Sequence, residues 1–560
     1  APALSSHNSL RSQNASDEGH PLPDLFPLPA AVIMGTAFAV VLPFFFLGNA
    51  SGHDFEFHVL SWMEVVRQWK QGILYPRWAA FAHWTYGEAR FLFYPPASWN
   101  LGGILGVLLP WKFVPGAYVW VALTASGCSM FLLARRWFSR EDAVFAAALY
   151  AANPYYLVIV YWRSALAELL AGCLLPGLLL VILRAEKEGR RVIVPLSMVV
   201  AAAWLTNAPS AVMVNYSLAL MIVITAIAHR KPRLLLYGGT AVLLGAALAG
   251  FYLIPAAYEE KWVNIAEVLA PGLRPQDNFF FTAINDVDHD RFNLLVSLAG
   301  GAEVLVFAVA LYLSRKWRER AIWWPLVAWG SAAALLMLPV TLVFWKYLPE
   351  LRFVQLPWRW LLALNVAFAL LVTMAWRRLL SRLLLCAAML GLLATVWHRV
   401  QPPWWDTAAD VQEMHDFIEN GDGYEGTDEY VPAGVDPYEL NKDASKVATE
   451  SGDSALIHID QWSAQTKVFS VDVSRPEKLR LRLLNYPAWR IEVNARPVQA
   501  TAHPVTGEVV FPVSPGPNRV RVSFIQTRDR LIGGVVSVVA LLLLILTSIY
   551  FRRPEDSVLN

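Results

Sequence analysis

The chain has 560 residues, 56% of them hydrophobic and only 16% charged, with a formal net charge of +2. A soluble protein of this length does not need so much apolar surface, so a soluble fold is excluded, and no nucleic-acid partner is expected. Long uncharged runs at 30–48, 211–228, 361–375 and 531–550 approach the roughly 20 residues that cross a bilayer as a helix, which reads as a polytopic α-helical membrane protein.

In chain order, residues 1–27 are polar and rich in Ser, Asn and Pro, and read as a disordered cytoplasmic tail without a cleavable signal peptide. A transmembrane domain is expected over 28–397. Thirteen apolar segments lie near 28–48, 96–110, 116–134, 141–160, 167–184, 192–208, 210–228, 233–256, 292–313, 321–338, 358–375, 382–397 and 530–551. Lys and Arg cluster in short loops at 135–140, 184–191, 230–233, 315–320 and 377–382 and again at 552–553, and the positive-inside rule puts these in the cytoplasm. Thirteen full crossings would contradict that rule. The segment near 96–110 is short, bounded by Pro95-Pro96 and Pro110, and carries Gly102-Gly103. About 12 crossings are therefore expected, with that piece re-entrant or lying at the surface. Cys128, Cys173 and Cys386 all lie in apolar segments, so neither a disulfide framework nor a thiolate metal site is expected.

An external loop spans 49–95, and its 62–94 stretch has the pattern of short amphipathic helices in the membrane interface. Residues 398–527 form a polar extracytoplasmic region. Its 404–460 part reads as irregular, whereas alternating runs from about 465 read as an antiparallel β-sandwich. Residues 528–560 supply the final crossing and a cytoplasmic tail.

Four ionisable side chains fall within Gly52-His53-Asp54-Phe55-Glu56-Phe57-His58, where the chain leaves its first apolar segment. In extended backbone Asp54, Glu56 and His58 share one face, and in a helix Asp54 and His58 stack at i, i+4. Asp54 and Glu56 are the candidate catalytic carboxylates, as a general base or as ligands of a divalent cation bridging a phosphate. The plain alternative is a solvated acidic loop. Asp54, Glu56 and His58 are the candidate metal set, with Mg²⁺ or Mn²⁺ as the ion.

Arg77, in Tyr75-Pro76-Arg77-Trp78, is either an interfacial anchor or a clamp on a lipid phosphate, for which a planar guanidinium suits bidentate contact. Arg163 and Glu168 flank an apolar helix start, as an interfacial ion pair or as a phosphate clamp with its orienting carboxylate. Gln355 and Arg359 lie in Arg352-Phe353-Val354-Gln355-Leu356-Pro357-Trp358-Arg359-Trp360. Arg359 needs an anionic partner at a membrane helix start, either a carboxylate such as Glu56 or a bound phosphate. No P-loop, dinucleotide-binding glycine pattern, HExxH helix or GxSxG elbow is present, so nucleotide chemistry in this chain is not expected.

The order of an apolar helix, His53-Asp54-Phe55-Glu56-Phe57-His58, Tyr75-Pro76-Arg77-Trp78 and Tyr94-Pro95-Pro96 resembles the first external loop of GT-C-class membrane glycosyltransferases. Arg163-Ser164-Ala165-Leu166-Ala167-Glu168, Thr206-Asn207-Ala208-Pro209-Ser210 and Gln355-Leu356-Pro357-Trp358-Arg359 resemble the bacterial membrane proteins described as 6-pyruvoyl-tetrahydropterin synthase-related. The segment from Asn485-Tyr486-Pro487 to Asn494, with Gly533-Gly534 later, is similar to related bacterial membrane proteins that glycosylate cell-wall polymers. No clustered His triad supports a zinc pterin enzyme.

This resemblance implies a GT-C-like fold in a bacterial inner membrane, with its active site and C-terminal domain extracytoplasmic. It implies Asp54 as base or metal-binding carboxylate, Glu56 beside it, and Arg163 and Arg359 as donor-phosphate contacts. The implied partners are the lipid bilayer, a polyprenyl-phosphate-linked sugar and a glycan or lipid acceptor. A non-catalytic subunit of a larger membrane complex keeping the same scaffold, and a lipid or polysaccharide transporter, are the rival readings.

Overall fold

The computed structural model describes residues 28–552; the tails expected at 1–27 and beyond 552 lie outside the described residues. Among the described residues nine helices are long and apolar enough to cross a membrane, or up to eleven if each of two bent pairs is one span. The bends are sharp: Arg233–Leu248 meets Gly250–Trp262 at 76°, and Trp323–Leu336 meets Pro339–Tyr347 at 92°. A further run, Leu166–Thr206, is 41 residues long, about twice a single span. Gly189, at φ +54°, opens the turn Gly189–Val192, and Ile193–Thr206 returns beside Leu166–Ala171 and Leu174–Glu188. The 96–110 segment forms the helix Pro96–Leu108 of 13 residues. At 1.5 Å per residue it reaches roughly 20 Å, short of the ~30 Å hydrocarbon core.

Burial sorts the helices into centre and rim. Pro357–Ala375 is 94% buried within the protein, whereas Arg528–Phe551 is only 11% buried. A helix that is apolar all round belongs either inside a bundle or against lipid, and this chain has both kinds. Arg359, in the first turn of the central helix, is therefore surrounded by protein rather than lipid.

The 49–95 loop departs from the amphipathic reading. Phe55–Lys70 is one 16-residue helix with most of its length buried, not a set of interfacial pieces. Residues 404–460 also carry more order than their irregular pattern suggests. Trp405–Asp406 pairs antiparallel with Asn49–Ala50. Ala408–Glu419 is an amphipathic helix with a capping box between Thr407 and Asp410, burying Val411, Met414 and Ile418.

The C-terminal part forms two antiparallel sheets. One orders Val447–Thr449, Glu477–Leu484, Glu508–Val513 and Thr501–Ala502; the other orders Leu456–Trp462, Thr466–Val473, Gly516–Phe524, Trp489–Val493 and Arg496–Val498. Leu479, Leu481 and Phe511 from the first meet Phe469, Val471, Ile491 and Val520 from the second in one core, as in a β-sandwich. The first strands lie ahead of residue 465, because Val447–Thr449 and Leu456–Trp462 are edge strands whose alternation is weak.

Candidate active site at the first external loop

The site is built where a helix fails. Pro154–Val158 loosens into a π-helical turn, Ile159–Arg163, and Ser164 takes a left-handed conformation at φ +50°. π-Turns break the regular ladder and leave carbonyls without an intrahelical donor. The backbone N–H of His53 donates to the Trp162 carbonyl (3.3 Å) and that of Asp54 to the Arg163 carbonyl (2.9 Å). The Gly52 N–H donates to Ser164 Oγ (2.8 Å), which in turn donates to the Ala50 carbonyl (3.1 Å). Gly52 is required by contact: a Cβ there would stand 2.4 Å from the Trp162 carbonyl. This docking sets Asp54 beside Arg163.

Asp54 precedes the helix Phe55–Lys70, but its carboxylate caps nothing and accepts no protein hydrogen bond among the described residues. It is half-buried and within electrostatic reach of His58, Tyr94, Arg163 and Arg359. The helical alternative for 54–58 is the one adopted, with the His58 N–H donating to the Asp54 carbonyl at 3.2 Å.

Behind Asp54 lies a buried charge cluster centred on Glu168. Arg163 Nη1 and Arg359 Nε both donate to its Oε2, at 2.6 and 3.1 Å, and the Tyr155 hydroxyl donates to Oε1 at 2.5 Å. Arg359 Nη1 also donates to the Val354 carbonyl (2.8 Å) and to Gln355 Oε1 (2.9 Å), while Gln355 Nε2 donates to the Val268 carbonyl (2.6 Å). The Arg163 guanidinium lies 4.8 Å from the Trp358 ring centroid. Two guanidinium groups thus share one carboxylate, leaving one surplus positive charge that faces Asp54.

His58 has a different task from the metal binding expected of it. Its Nε2 accepts the Leu166 N–H at 3.2 Å, which requires a neutral ring with the proton on Nδ1, and fixes the start of the helix carrying Glu168. Burial pushes its pKa down to about 4, with Arg90 and Arg163 adding to the effect against Asp54. Glu56 is exposed, and its carboxyl is raised by desolvation and then by Asp406 and Glu425, which are its neighbours in place of Asp54. Among the described residues no group of three or more His, Cys, Asp or Glu is placed to hold a metal ion, so Asp54, Glu56 and His58 do not form the expected ligand set. Arg359 pairs with Glu168, not Glu56. Arg77 stands apart, beside Tyr75 and within reach of Arg530, Glu259 and Asp529.

Several residues that matter to this architecture escape a reading of the sequence. Buried Glu88 accepts from Arg90 Nε (2.5 Å), pairs with His83 Nε2 (2.9 Å) and accepts the Thr427 N–H (2.8 Å). Burial alone would raise the Glu88 pKa, but Arg90 and then His83 overcome it and hold the group down at about 2. Arg90 Nη1 donates to Ser61 (3.0 Å), and its guanidinium lies 4.4 Å from the centroid of Phe57. Glu64 accepts from the Tyr424 hydroxyl (2.8 Å) and from the Ala80 N–H, and burial lifts its pKa to about 7. The one local clue was Glu-x-Arg at 88–90 inside an aromatic stretch; the partners at 424 and 427 carry no sequence signal pointing back to it.

Residues 91–401 match the family described as 6-pyruvoyl-tetrahydropterin synthase related domain; membrane protein, which is more than half of the chain. The chain belongs to this family. The matched region contains Arg163, Glu168, Gln355 and Arg359, and excludes the Asp54 loop and the β-sandwich. No curated protein matches the chain. Among solved structures it is similar to the Archaeoglobus fulgidus oligosaccharyltransferase in its apo form, at 14% identity and a TM-score of 0.37, over 71% of this chain and 56% of that one. It is also similar to the Archaeoglobus fulgidus oligosaccharyltransferase AglB in complex with an inhibitory peptide and a dolichol-phosphate, at 13% identity and a TM-score of 0.36, over the same shares. The chain thus spans little more than half the length of these structures.

Proposed function

We propose that this family member is an inverting membrane glycosyltransferase that moves a sugar from a polyprenyl-phosphate donor to a glycan, lipid or cell-envelope acceptor. The observation that carries the reading is the free Asp54 carboxylate beside a buried cluster with one surplus positive charge. An acceptor hydroxyl hydrogen-bonds Asp54 and gives up its proton there as its oxygen attacks the anomeric carbon. The bond to the donor phosphate breaks, and the departing lipid phosphate is stabilised by Arg163 and Arg359. Gln355 and Glu168 hold those guanidinium groups in place.

The proposed orientation is supported by the far end of the bundle, where basic loops touch one another. Arg320 Nη1 donates to the Trp137 carbonyl (3.0 Å), and Arg382 pairs with Asp142 (2.7 Å). By the positive-inside rule this end faces the cytoplasm of a bacterial inner membrane, leaving Asp54 and the β-sandwich outside. Asp54→Asn in membranes supplied with lipid-linked sugar is the test: the asparagine keeps size and backbone contacts but takes no proton, and transfer at the wild-type rate rejects the proposal.

One feature favours the rival of a non-catalytic scaffold. Glu168 already satisfies both arginines, so the cluster is stable without a phosphate. Copurification at fixed stoichiometry with another membrane protein, together with Asp54→Asn that leaves complex activity intact, supports that rival.

A further inference from the structure

The end of the bundle away from Asp54 contains a cavity of about 350 Å³ at the turn Gly189–Val192. Arg190 and Arg191 enter it from the turn, Arg233 and Tyr237 from the start of Arg233–Leu248, and Tyr550 and Phe551 from the end of the last helix. The Arg190 guanidinium lies 5.1 Å from the ring centroids of both Tyr550 and Phe551. Such contacts hold a long side chain in place while leaving its N–H groups free.

The carboxylates nearby are engaged elsewhere. Glu188, which also lines the cavity, is 4.0 Å from Arg184, and Glu186 pairs with His229 at 3.2 Å and Lys231 at 3.9 Å. Among the described residues no carboxylate pairs with Arg190, Arg191 or Arg233. Among the described residues three guanidinium groups from two elements therefore converge on one cavity, and none of them is paired with a carboxylate. Scattered basic residues on a cytoplasmic face are ordinary; convergence on a cavity is not.

Depth and surroundings identify the ligand. The last helix runs from Arg530, bound to Glu259 at 2.7 Å, to Tyr550, which is roughly 30 Å at 1.5 Å per residue and matches a bilayer core. The cavity thus lies at the opposite membrane face from the β-sandwich. Exposed apolar side chains continue from it on both helices: Leu235 and Leu236 on one, Leu546 and Ile549 on the other. A site for a free anion needs no such flanks.

We propose that this pocket binds the phosphate of an anionic phospholipid, with Arg190, Arg191 and Arg233 on the headgroup and the acyl chains along those apolar side chains. Planar guanidinium forks match phosphate oxygens, and basic pockets between membrane helices suit acidic headgroups. The chemistry shared with a soluble phosphate is the charge; the apolar flanks favour the lipid.

Native mass spectrometry of the full chain in detergent, titrated with phosphatidylglycerol, phosphatidylcholine or inorganic phosphate, tests this. The wild type should retain phosphatidylglycerol at least about tenfold more tightly than phosphatidylcholine, and the Arg190→Gln/Arg191→Gln/Arg233→Gln variant should lose that preference. Arg315→Gln/Lys316→Gln/Arg318→Gln removes the same charge from another basic loop and should keep it. Arg233→Gln alone, at an exposed and unpaired position, should weaken retention without affecting folding. Equal loss in both triple variants, or no lipid preference in the wild type, overturns the proposal. Phosphate displacing the lipid at millimolar concentration would make this a soluble-anion site instead.

Discussion

The Glu168 cluster makes a charge-counting prediction. Arg163, Arg359 and Glu168 are all buried, with relative exposures of 4%, 8% and 1%. Glu168→Gln keeps the shape but leaves two guanidinium groups without their carboxylate. Breaking a buried pair from one side costs about 3–5 kcal/mol. Arg359→Gln instead leaves a one-to-one Arg163–Glu168 pair; the Val354 carbonyl keeps the Leu356 N–H at 2.7 Å, and the main new defect is Gln355 Oε1, which loses its donor, about 1–2 kcal/mol. The two variants should therefore differ by about 2–3 kcal/mol, although each changes the charge by one unit. Thermal unfolding in detergent, followed by the intrinsic fluorescence of 24 tryptophans, should rank wild type above Arg359→Gln, and that well above Glu168→Gln. A lipid phosphate should raise the wild-type midpoint and leave that of Arg359→Gln unmoved. A Glu168→Gln midpoint equal to or above that of Arg359→Gln would show that the surplus charge is not where the geometry puts it.

Three further outcomes follow from other contacts. Gly52→Ala should cost about 1–3 kcal/mol by overpacking against the Trp162 carbonyl and should reduce transfer more than stability, seen by comparing unfolding midpoints with rates. His58 has a folded pKa of about 4 against 6.5 for the free side chain, so the unfolded chain binds its proton first. Its stabilisation is present above pH 6.5 and is lost as the pH falls, by about 2 kcal/mol at pH 5, and His58→Gln should remove that part of the difference between pH 7 and pH 5 midpoints. Glu88→Gln should cost about 3–5 kcal/mol by leaving Arg90 buried without its carboxylate, and should expose the 71–89 stretch to limited proteolysis.

The membrane class and the β-sandwich were legible from apolar runs and from alternation, and Asp54, Arg163, Gln355 and Arg359 stood out because each breaks a pattern. Asp54 is an acid at the end of an apolar run, and Arg359 is a cation where an apolar helix begins. Their partners were not legible. Nothing local says that Arg359 chooses Glu168, since the two are 191 residues apart. His58 looked like a ligand because a histidine beside acids does, yet its use is decided by the Leu166 N–H at the start of a distant helix. Within 404–460 the helical spacing of Val411, Met414 and Ile418 was there to be read, but the order around it comes from pairing with Asn49 and Ala50 and from Glu64 and Glu88, which no local pattern announces.

The turn His83-Trp84-Thr85 holds three successive residues at positive φ, 49°, 51° and 75°. Such a turn persists only when its surroundings impose it. Here Arg482 Nε donates to the Trp84 carbonyl at 2.8 Å, from 398 residues further along the chain, and the Leu484 N–H donates to the Tyr86 carbonyl at 3.0 Å. During synthesis at about 5–20 residues per second, the first loop emerges tens of seconds before the strand that clasps it. The nascent chain therefore passes tens of seconds with this turn unclasped, and the first loop reaches its final form only once the strand Glu477–Leu484 has been made.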